Sequence, residues 1–322
     1  MKAIRVHERG GPETLVYEEA PDPVPGPGEV LLRVRAVGVN FADSLMRIGA
    51  YPAEPPPFIP GLEAAGTVDA LGSGVTDLAT GEAVMGWVRR SYAELAVAPR
   101  SALMPMPGGL DFSQAAAIPV VFATAWHALV TLASVQAGER VLIHAAGSGV
   151  GTAAIQIAKR LGAWVLCTAG QDWKLDRSRE LGADAGINYS DQDLPSEIAR
   201  VTGGEGIHVV LEGVGRTTFA ASMGCLVPGG RLVIYGSPSG PRVELDTRLA
   251  IFRNLTLYGM SISTHPKFPE TARDFAERAL PWFATGAVRP VVDAVFPLPE
   301  AAAAHQRLMD RAQFGKIVLD VA

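Results

Sequence analysis

The middle of the chain alternates short apolar runs with segments whose apolar residues recur at helical spacing. Residues 140–144 form a β-branched and apolar run, small residues follow, and Val150, Ala153, Ala154, Ile157 and Leu161 then recur three or four positions apart. This order predicts a strand, a tight turn and a helix. Further strand-like runs, with helical patterns between most of them, lie at 163–168, 185–189, 207–213, 230–236 and 254–260. Such alternation predicts an α/β fold with a parallel, doubly wound sheet that binds its ligand at the carboxyl ends of the strands.

The tight turn after the first of these strands is rich in glycine. Its small residues let backbone N–H groups approach a pyrophosphate, and the following helix presents the positive end of its dipole. The match to G-x-G-x-x-G is imperfect, because ending the pattern at Gly151 places Ala146 and Ser148 at the first two glycine positions. An ordinary glycine-rich connection is the alternative, and the alternating strands and helices favour a dinucleotide site.

The first third of the chain has a different texture. Strand-like runs at 30–39, 63–71 and 91–98 are separated by turns rich in proline and glycine, which predicts a small, mostly β domain. Residues 111–130 read as a helical bridge into the nucleotide-binding half. Near the end, 269–283 reads as one amphipathic helix.

The last residues, 315–321, read as a strand that returns to the mostly β domain. We therefore predict a discontinuous first domain, 1–112 with 288–322, and a dinucleotide-binding domain over 113–287.

Composition narrows the class of protein. The chain has 322 residues, enough for two domains, and 48% of them are hydrophobic. A net charge of -5 gives no electrostatic reason to expect a nucleic acid or an anionic membrane as partner. The N-terminus lacks the continuous apolar run of a secretory signal, so we expect a cytoplasmic protein.

Six segments together resemble the zinc-independent quinone oxidoreductases of the medium-chain dehydrogenase/reductase superfamily. They are VGVNFADSLMRIGAYP at 37–52, FIPGLEAAGTV at 58–68, HAAGSGVGTAAIQIAK at 144–159, ELGAD at 180–184, INY at 187–189 and GKIVL at 315–319. The resemblance covers nearly the whole chain. It implies a GroES-like, mostly β domain plus a Rossmann domain, an active site in the cleft between them, and a homodimer formed through the edge strand at 255–260.

Departures from zinc-dependent relatives bear on the metal. Those relatives carry a cysteine near Ala42 and Asp43, and a histidine directly before the glutamate at Glu63, where this chain has Leu62. A catalytic zinc needs three good ligands with an open fourth position, so we expect no metal site here. Glu63 is interpreted as a hydrogen-bonded structural carboxylate.

The end of the second predicted strand indicates which nicotinamide cofactor binds. An NAD site carries an acidic residue there, whereas this chain has Thr168, Ala169 and Gly170. Small residues leave room for a 2′-phosphate, and Lys174 stands where NADPH-using relatives carry a matching lysine. We predict NADPH. Two alternatives remain: Asp172 facing the ribose, and Lys174 as a solvated residue of a helix.

The resemblance also implies individual contacts. Asn40 is expected at the nicotinamide ribose, Thr124 and Val150 at the nicotinamide and phosphates, Tyr189 on the adenosine side, and Lys316 at the phosphate. The complete predicted cofactor-binding set is Asn40, Thr124, Ala146, Gly147, Ser148, Gly149, Val150, Gly151, Gly170, Lys174, Tyr189, Val214, Gly236, Ser237 and Lys316.

The chemistry follows from the groups that are missing. Alcohol oxidation requires a zinc ion or a lysine-activated tyrosine to stabilise an alkoxide, and no tyrosine here is followed by lysine four positions later. A conjugated acceptor delocalises the charge itself, so we predict hydride transfer from NADPH to a quinone. Tyr51, in the Gly-x-Tyr context of related enoyl-thioester reductases, and Asn40 are the candidate catalytic residues; Tyr51 as a mere pocket-lining aromatic is the alternative. Asp43 and Arg47, four apart, are interpreted as an exposed ion pair.

Two other functions stay open. The first is a reductase of α,β-unsaturated carbonyl compounds or enoyl thioesters on the same scaffold. The second is an NADPH-binding protein with a structural or regulatory role. The expected partners are a small quinone or enone substrate and a second copy of the chain.

Overall fold

The computed structural model of the protein describes residues 1–321, and these residues form two compact units. Unit 1 comprises Met1–Val121 together with residues 278–321, and unit 2 comprises Phe122–Glu277. Unit 1 contains a mostly antiparallel sheet and unit 2 a parallel sheet with helices between its strands. The predicted fold class is therefore confirmed, while the domain limits at 112/113 and 287/288 stay a prediction.

The strands and helices of the described residues are numbered in chain order. The strands β1 to β15 are Lys2–Val6, Leu15–Glu19, Glu29–Val39, Ala64–Leu71, Ala83–Gly86, Leu95–Pro99, Leu103–Pro105, Arg140–Ile143, Trp164–Ala169, Ala185–Asn188, Ile207–Glu212, Leu226–Ile234, Thr256–Gly259, Val292–Pro297 and Lys316–Asp320. The helices α1 to α11 are Phe41–Ile48, Phe112–Ala116, Pro119–Trp126, Gly149–Arg160, Asp172–Glu180, Leu194–Val201, Phe219–Gly224, Thr247–Phe252, Phe268–Arg278, Leu280–Ala284 and Ala301–Met309. Over residues 1–321, no helix combines the length and the apolar character that a membrane span requires.

The long strand β3 is the centre of the sheet in unit 1. It pairs antiparallel with β4, with β6 over its first half and with β15 over its second half. Strand β14 then joins β15 in parallel. The C-terminal strand thus completes a sheet that begins near the N-terminus, which brings Lys316 beside the end of β3.

The sheet in unit 2 has six parallel strands in the order β10-β9-β8-β11-β12-β13. The chain winds outward from β8 through β9 to β10, and then returns to place β11 on the other side of β8. The boundary between β8 and β11 is therefore the topological switch point of a Rossmann fold, where a doubly wound sheet opens a crevice at its carboxyl edge.

Burial explains why these segments form the interior of a parallel sheet. The apolar side chains of β8, β9 and β11 are buried almost throughout, which is typical of strands covered by helices on both faces. Leu142, Leu166, Val210 and Leu232 from four neighbouring strands share one core cluster with Phe219 of α7. Polar and small residues are left to the strand ends.

Two segments, one predicted as a helical bridge and one as a single helix, are interrupted in the structure. The bridge at 111–130 begins where Asp111 caps α2, stops before Pro119, restarts as α3 and continues as a π-helix over His127–Leu132. The segment 269–283 is divided into α9 and α10, with Pro281 in the first turn of α10. Proline lacks a backbone N–H and restricts the residue before it, so it begins helices and does not continue them.

Candidate functional site

The N-terminus of α4 lies directly after β8, at the switch point of the parallel sheet. Ser148 caps this helix, and its Oγ accepts a hydrogen bond from Gly151 N at 2.9 Å. Ala146 N donates to Thr168 O at 3.0 Å, which ties the turn to β9. The first turn of a helix carries N–H groups without helical partners and the positive end of the dipole. This end of unit 2 therefore fits a pyrophosphate.

Gly151 permits the close packing of α4 on the turn that precedes it. A Cβ at this position would lie 2.5 Å from Ala145 O and 2.8 Å from Ala146 O. Both atoms belong to the backbone, so a side chain here would displace the helix or the turn. The last glycine of a dinucleotide fingerprint has this packing role, and the structure gives it to Gly151.

The other predicted residues of unit 2 follow the carboxyl ends of neighbouring strands. Gly170 follows β9, Tyr189 follows β10, Val214 lies two residues after β11, and Gly236 and Ser237 lie just after β12. Because parallel strands all point the same way, these positions lie at one edge of the sheet together with the turn at 146–151. The structure thus brings this group together, and its contacts with a cofactor stay a prediction.

The start of α5 bears on the choice of nicotinamide cofactor. Lys174 is only 9% exposed, so the alternative interpretation as a solvated residue is wrong. Asp172 Oδ1 accepts a hydrogen bond from Asn188 Nδ2 at 2.9 Å, which occupies one oxygen of the carboxylate that could otherwise face the ribose. Thr124, also predicted to contact the cofactor, is 7% exposed within α3.

A buried network that the sequence interpretation missed lies beneath the strand ends. His144 follows β8, and its Nδ1 lies 2.8 Å from Thr168 Oγ1 while its Nε2 lies 2.9 Å from Ser222 Oγ. Ser222 in turn donates to Glu212 Oε2 at 2.6 Å. Glu212 is the last residue of the apolar strand β11, and a charged residue at the end of a buried run is the sequence signal that could have identified it.

Unit 1 contains a buried cluster around Glu63. Lys316 Nζ lies 2.7 Å from Glu63 Oε1, 3.0 Å from Asn40 Oδ1 and 2.7 Å from Val39 O. Asn40 Nδ2 donates to the same Glu63 oxygen at 2.9 Å, and Val120 N donates to the other oxygen at 2.8 Å. Glu63 is fully buried and Lys316 is 4% exposed. The interpretation of Glu63 as a hydrogen-bonded carboxylate is confirmed.

This cluster changes the interpretation of two predicted residues. The three hydrogen bonds of Lys316 use every hydrogen of its ammonium group, which argues against its predicted contact with a phosphate. Asn40 uses both amide hydrogens, on Glu63 and on Gly38 O at 3.0 Å. Its side chain is therefore held in one orientation, and its predicted ribose contact stays a prediction.

The interpretation of Asp43 and Arg47 as an exposed ion pair is wrong, because both side chains are fully buried. Asp43 Oδ2 accepts a hydrogen bond from Asn40 N at 2.8 Å, as the third helical residue does in a capping box. Arg47 Nη1 donates to Gly10 O at 2.5 Å. Over residues 1–321, neither Asp43 Oδ1 nor Arg47 Nε has a hydrogen-bond partner. The spacing of Asn40 and Asp43, which is that of a capping box, was the sequence signal that could have shown that Asp43 bonds to the helix N-terminus and not to Arg47.

Burial raises the pKa of the Asp43 carboxyl from 3.8 to about 7. Because the folded-state pKa lies above the unfolded one, Asp43 favours folding at low pH, and this contribution is lost as the pH rises through 7. We expect wild type to lose stability relative to Asp43→Asn between about pH 4 and pH 7, with a slope of up to about 1.4 kcal/mol per pH unit. Urea unfolding of both proteins across this range measures the difference, and parallel curves would contradict it.

Tyr51 lies three residues beyond the end of α1, after Gly49 ends that helix in the left-handed conformation with φ 79°. Its side chain is half-buried. The end of α1 and the left-handed conformation of Gly49 thus determine the position of Tyr51. The role of Tyr51 as proton donor stays a prediction. Over residues 1–321, no group of three or more His, Cys, Asp or Glu side chains has the arrangement of a metal site.

Comparisons with known proteins agree with this geometry. The family model for the alcohol dehydrogenase GroES-like domain matches residues 26–108, and the model for zinc-binding dehydrogenases matches residues 149–278. A quinone oxidoreductase of Lama guanicoe is 36% identical, covering 99% of this chain and 97% of its own length. A 2-haloacrylate reductase of a Burkholderia species is 35% identical, covering 98% of each.

A solved structure supports the same relationship. The Escherichia coli quinone oxidoreductase complexed with NADPH is 30% identical and superposes with a TM-score of 0.93 over the whole of both chains. Likeness over the full length, in sequence and in fold, identifies a family and not only a shared architecture. The chain belongs to the quinone oxidoreductases of the medium-chain dehydrogenase/reductase superfamily.

Proposed function

We propose that this oxidoreductase uses NADPH to reduce quinones by hydride transfer without a metal ion. The observation that carries the proposal is the position of the N-terminus of α4 at the switch point of the parallel sheet, where Gly151 allows the helix to pack closely on the turn that precedes it. This geometry is suited to the pyrophosphate of a dinucleotide. The NADPH complex of the E. coli relative supports the same cofactor here.

The residues of unit 2 would hold the cofactor at the carboxyl edge of the sheet. The first turn of α4 would bind the pyrophosphate, Gly170 and Tyr189 would border the adenosine, and Val214 would border the nicotinamide half. Tyr189 is 40% exposed, and its ring lies so close to Gly170 that a Cβ at 170 would be 3.2 Å from it. When bound, NADPH supplies the hydride from C4 of its nicotinamide.

The cluster around Glu63 supports catalysis without zinc. Leu62 stands where zinc-dependent relatives carry a ligand, and the negative charge of Glu63 is compensated by the Lys316 ammonium at 2.7 Å. A conjugated acceptor does not need a strong Lewis acid, because its own π-system distributes the charge that develops. The catalytic residues of this proposal are Asn40, whose amide is held in one orientation, and Tyr51 as proton donor or carbonyl partner.

The acceptor is tested by measuring loss of NADPH absorbance with a benzoquinone, a naphthoquinone, a simple enone, a crotonyl thioester and 2-chloroacrylate, with NADH as the paired control. Turnover on the quinones supports the proposal. Turnover restricted to the activated alkenes would move the function to alkene reduction, the candidate that the 2-haloacrylate reductase relative favours. Binding of NADPH without turnover on any acceptor would support a structural or regulatory role.

Lys174 is proposed to select NADPH through the 2′-phosphate. Lys174→Ala should raise KM for NADPH about tenfold and leave KM for NADH unchanged, since one charge-assisted contact is lost. Arg179→Ala is the matched control, because this residue lies on the same helix and pairs with the exposed Asp176. Equal KM values for NADPH in wild type and Lys174→Ala would remove the role from Lys174.

We also propose that the protein is a homodimer located in the cytoplasm. Strand β13 is the outermost strand of its sheet, so one edge is available for pairing. Ile251 and Phe252, on the neighbouring helix α8, are 67% and 76% exposed. A monomer mass in sedimentation equilibrium would exclude the dimer.

A further inference from the structure

The last residue of β11, Glu212, is a fully buried carboxylate with an unusually complete set of donors. Its Oε1 accepts hydrogen bonds from Val214 N at 2.8 Å and from Gly215 N at 2.9 Å. Thr218 Oγ1 lies 2.8 Å from the same oxygen, and Ser222 Oγ donates to Oε2 at 2.6 Å. Burial of a carboxylate is costly unless donors replace its water. The four donors replace the water that the Glu212 carboxylate loses on burial, and the carboxylate in turn holds these donors in place.

Two of these donors are the backbone N–H groups of the loop that follows β11. Because β11 is the neighbour of β8 across the switch point, this loop forms the wall of the crevice that faces the turn at 146–151. The loop after β11 is bonded to the loop after β12, because Ser239 donates to Val214 O through its backbone N at 2.9 Å and through its Oγ at 2.7 Å. Glu212 thus anchors the loops after both β11 and β12.

The backbone conformation of Gly215 restricts how the loops after β11 and β12 can be placed. Its φ is +96°, and a Cβ there would lie 2.8 Å from Gly240 O and 3.0 Å from Ser237 Cα. Only glycine therefore fits both the left-handed conformation and the close approach of the next loop at this position. Without the carboxylate, the N–H groups of Val214 and Gly215 would lose their acceptor at the point where the two loops meet.

The opposite oxygen of Glu212, Oε2, shares Thr218 Oγ1 at 3.0 Å with Oε1 and also contacts Ser222. Ser222 has one hydroxyl hydrogen, and a charged acceptor at 2.6 Å takes it in preference to Thr218 O at 3.0 Å. Ser222 Oγ then accepts from His144 Nε2, which places a proton on Nε2. Burial lowers the pKa of His144 and so favours its neutral form. The loop anchor and the His144 contact are thus on different oxygens.

We propose that Glu212 is a positioning residue of the dinucleotide site, holding the Val214–Gly215 backbone where the nicotinamide half of the cofactor passes β11. The proposal rests on the proposed binding of NADPH. It assigns the loop anchor to Glu212 Oε1 and gives the Ser222 and His144 side of the carboxylate no part in cofactor binding.

The two halves of the cofactor provide the test. The adenosine half lies over the ends of β9 and β10 in this fold, and the nicotinamide half lies over β11 and β12. Glu212→Ala should therefore raise the Kd of NADPH about tenfold or more, while the Kd of 2′,5′-ADP, which lacks the nicotinamide half, stays within about twofold of wild type. Isothermal titration calorimetry measures both constants.

Two variants separate positioning from general stability. Glu212→Gln keeps an acceptor for Val214 N and Gly215 N, so it should bind NADPH within about threefold of wild type and rescue the alanine variant. Ser222→Ala removes the contact to His144 and keeps the loop anchor, so it should also bind NADPH normally. If Glu212→Ala does not fold, Glu212→Asp replaces it, because its shorter side chain cannot reach both loop amides and Ser222.

Each outcome decides between the proposals. An equal rise in both Kd values, or a loss in Ser222→Ala as large as in Glu212→Ala, would show a general structural role and overturn the assignment. Unchanged NADPH binding in Glu212→Ala would overturn it as well. If wild type itself binds 2′,5′-ADP and NADPH no better than a Gly151→Ala variant does, the proposed function fails first and the role of Glu212 fails with it.

Discussion

Lys316→Met should lower the free energy of unfolding by roughly 3–5 kcal/mol, because it leaves the buried charge of Glu63 without its partner. Glu63 is fully buried and Lys316 is 4% exposed, so water cannot replace the lost ammonium at 2.7 Å. The lost contact also releases Asn40 Oδ1 and Val39 O, which accept from the same ammonium group. Denaturant unfolding of both proteins measures the change.

Two further variants show whether the charge is the cause. The double variant Glu63→Gln/Lys316→Met removes both charges and should recover a large part of the lost free energy of unfolding. Removing one partner of a buried ion pair is strongly destabilising, whereas replacing both partners has a much smaller effect. Arg33→Met is the surface control on the same sheet. Its pair with Asp69 joins side chains that are 53% and 30% exposed, and its loss should cost no more than about 1 kcal/mol. A loss in Lys316→Met equal to that control would contradict the assignment.

Gly151→Ala should weaken NADPH binding by roughly tenfold to 100-fold. The added methyl group would lie 2.5 Å and 2.8 Å from two backbone oxygens of the turn, which cannot move aside as a side chain can. Such overpacking costs roughly 1–3 kcal/mol, and the shift that relieves it displaces α4 from the pyrophosphate site. Titration with NADPH, followed by calorimetry, gives the change in Kd.

Gly224→Ala provides the matched substitution within unit 2. Gly224 is the last residue of α7, and a Cβ built there would meet no atom within 4 Å apart from its chain neighbours and its own helix backbone. The variant should bind NADPH as wild type does. If Gly151→Ala and Gly224→Ala bind NADPH equally well, the turn at 146–151 is not the pyrophosphate site.

The amino-acid sequence by itself determined the strand, turn and helix at 140–160 and the alternation that follows. Apolar periodicity and glycine placement are local properties, so they identify elements and their order without knowledge of the fold. The resemblance of six ordered segments then identified the family. Proline positions were equally visible, and the effect of Pro281 on the predicted helix at 269–283 was underestimated.

The tertiary structure alone decided which charged residues are buried. Opposite charges four apart on a helix look the same on an exposed face as on a buried one, and α1 buries Asp43 and Arg47 because Gly10 and the end of α11 lie against that helix. The distance along the chain also hid Lys316 from Glu63 and Ser222 from His144. Pairing of β3 with both β4 and β15 brings Lys316 to Glu63, and packing of α7 on β11, the neighbour of β8, brings Ser222 to His144. Such contacts depend on strand order, which no local pattern encodes.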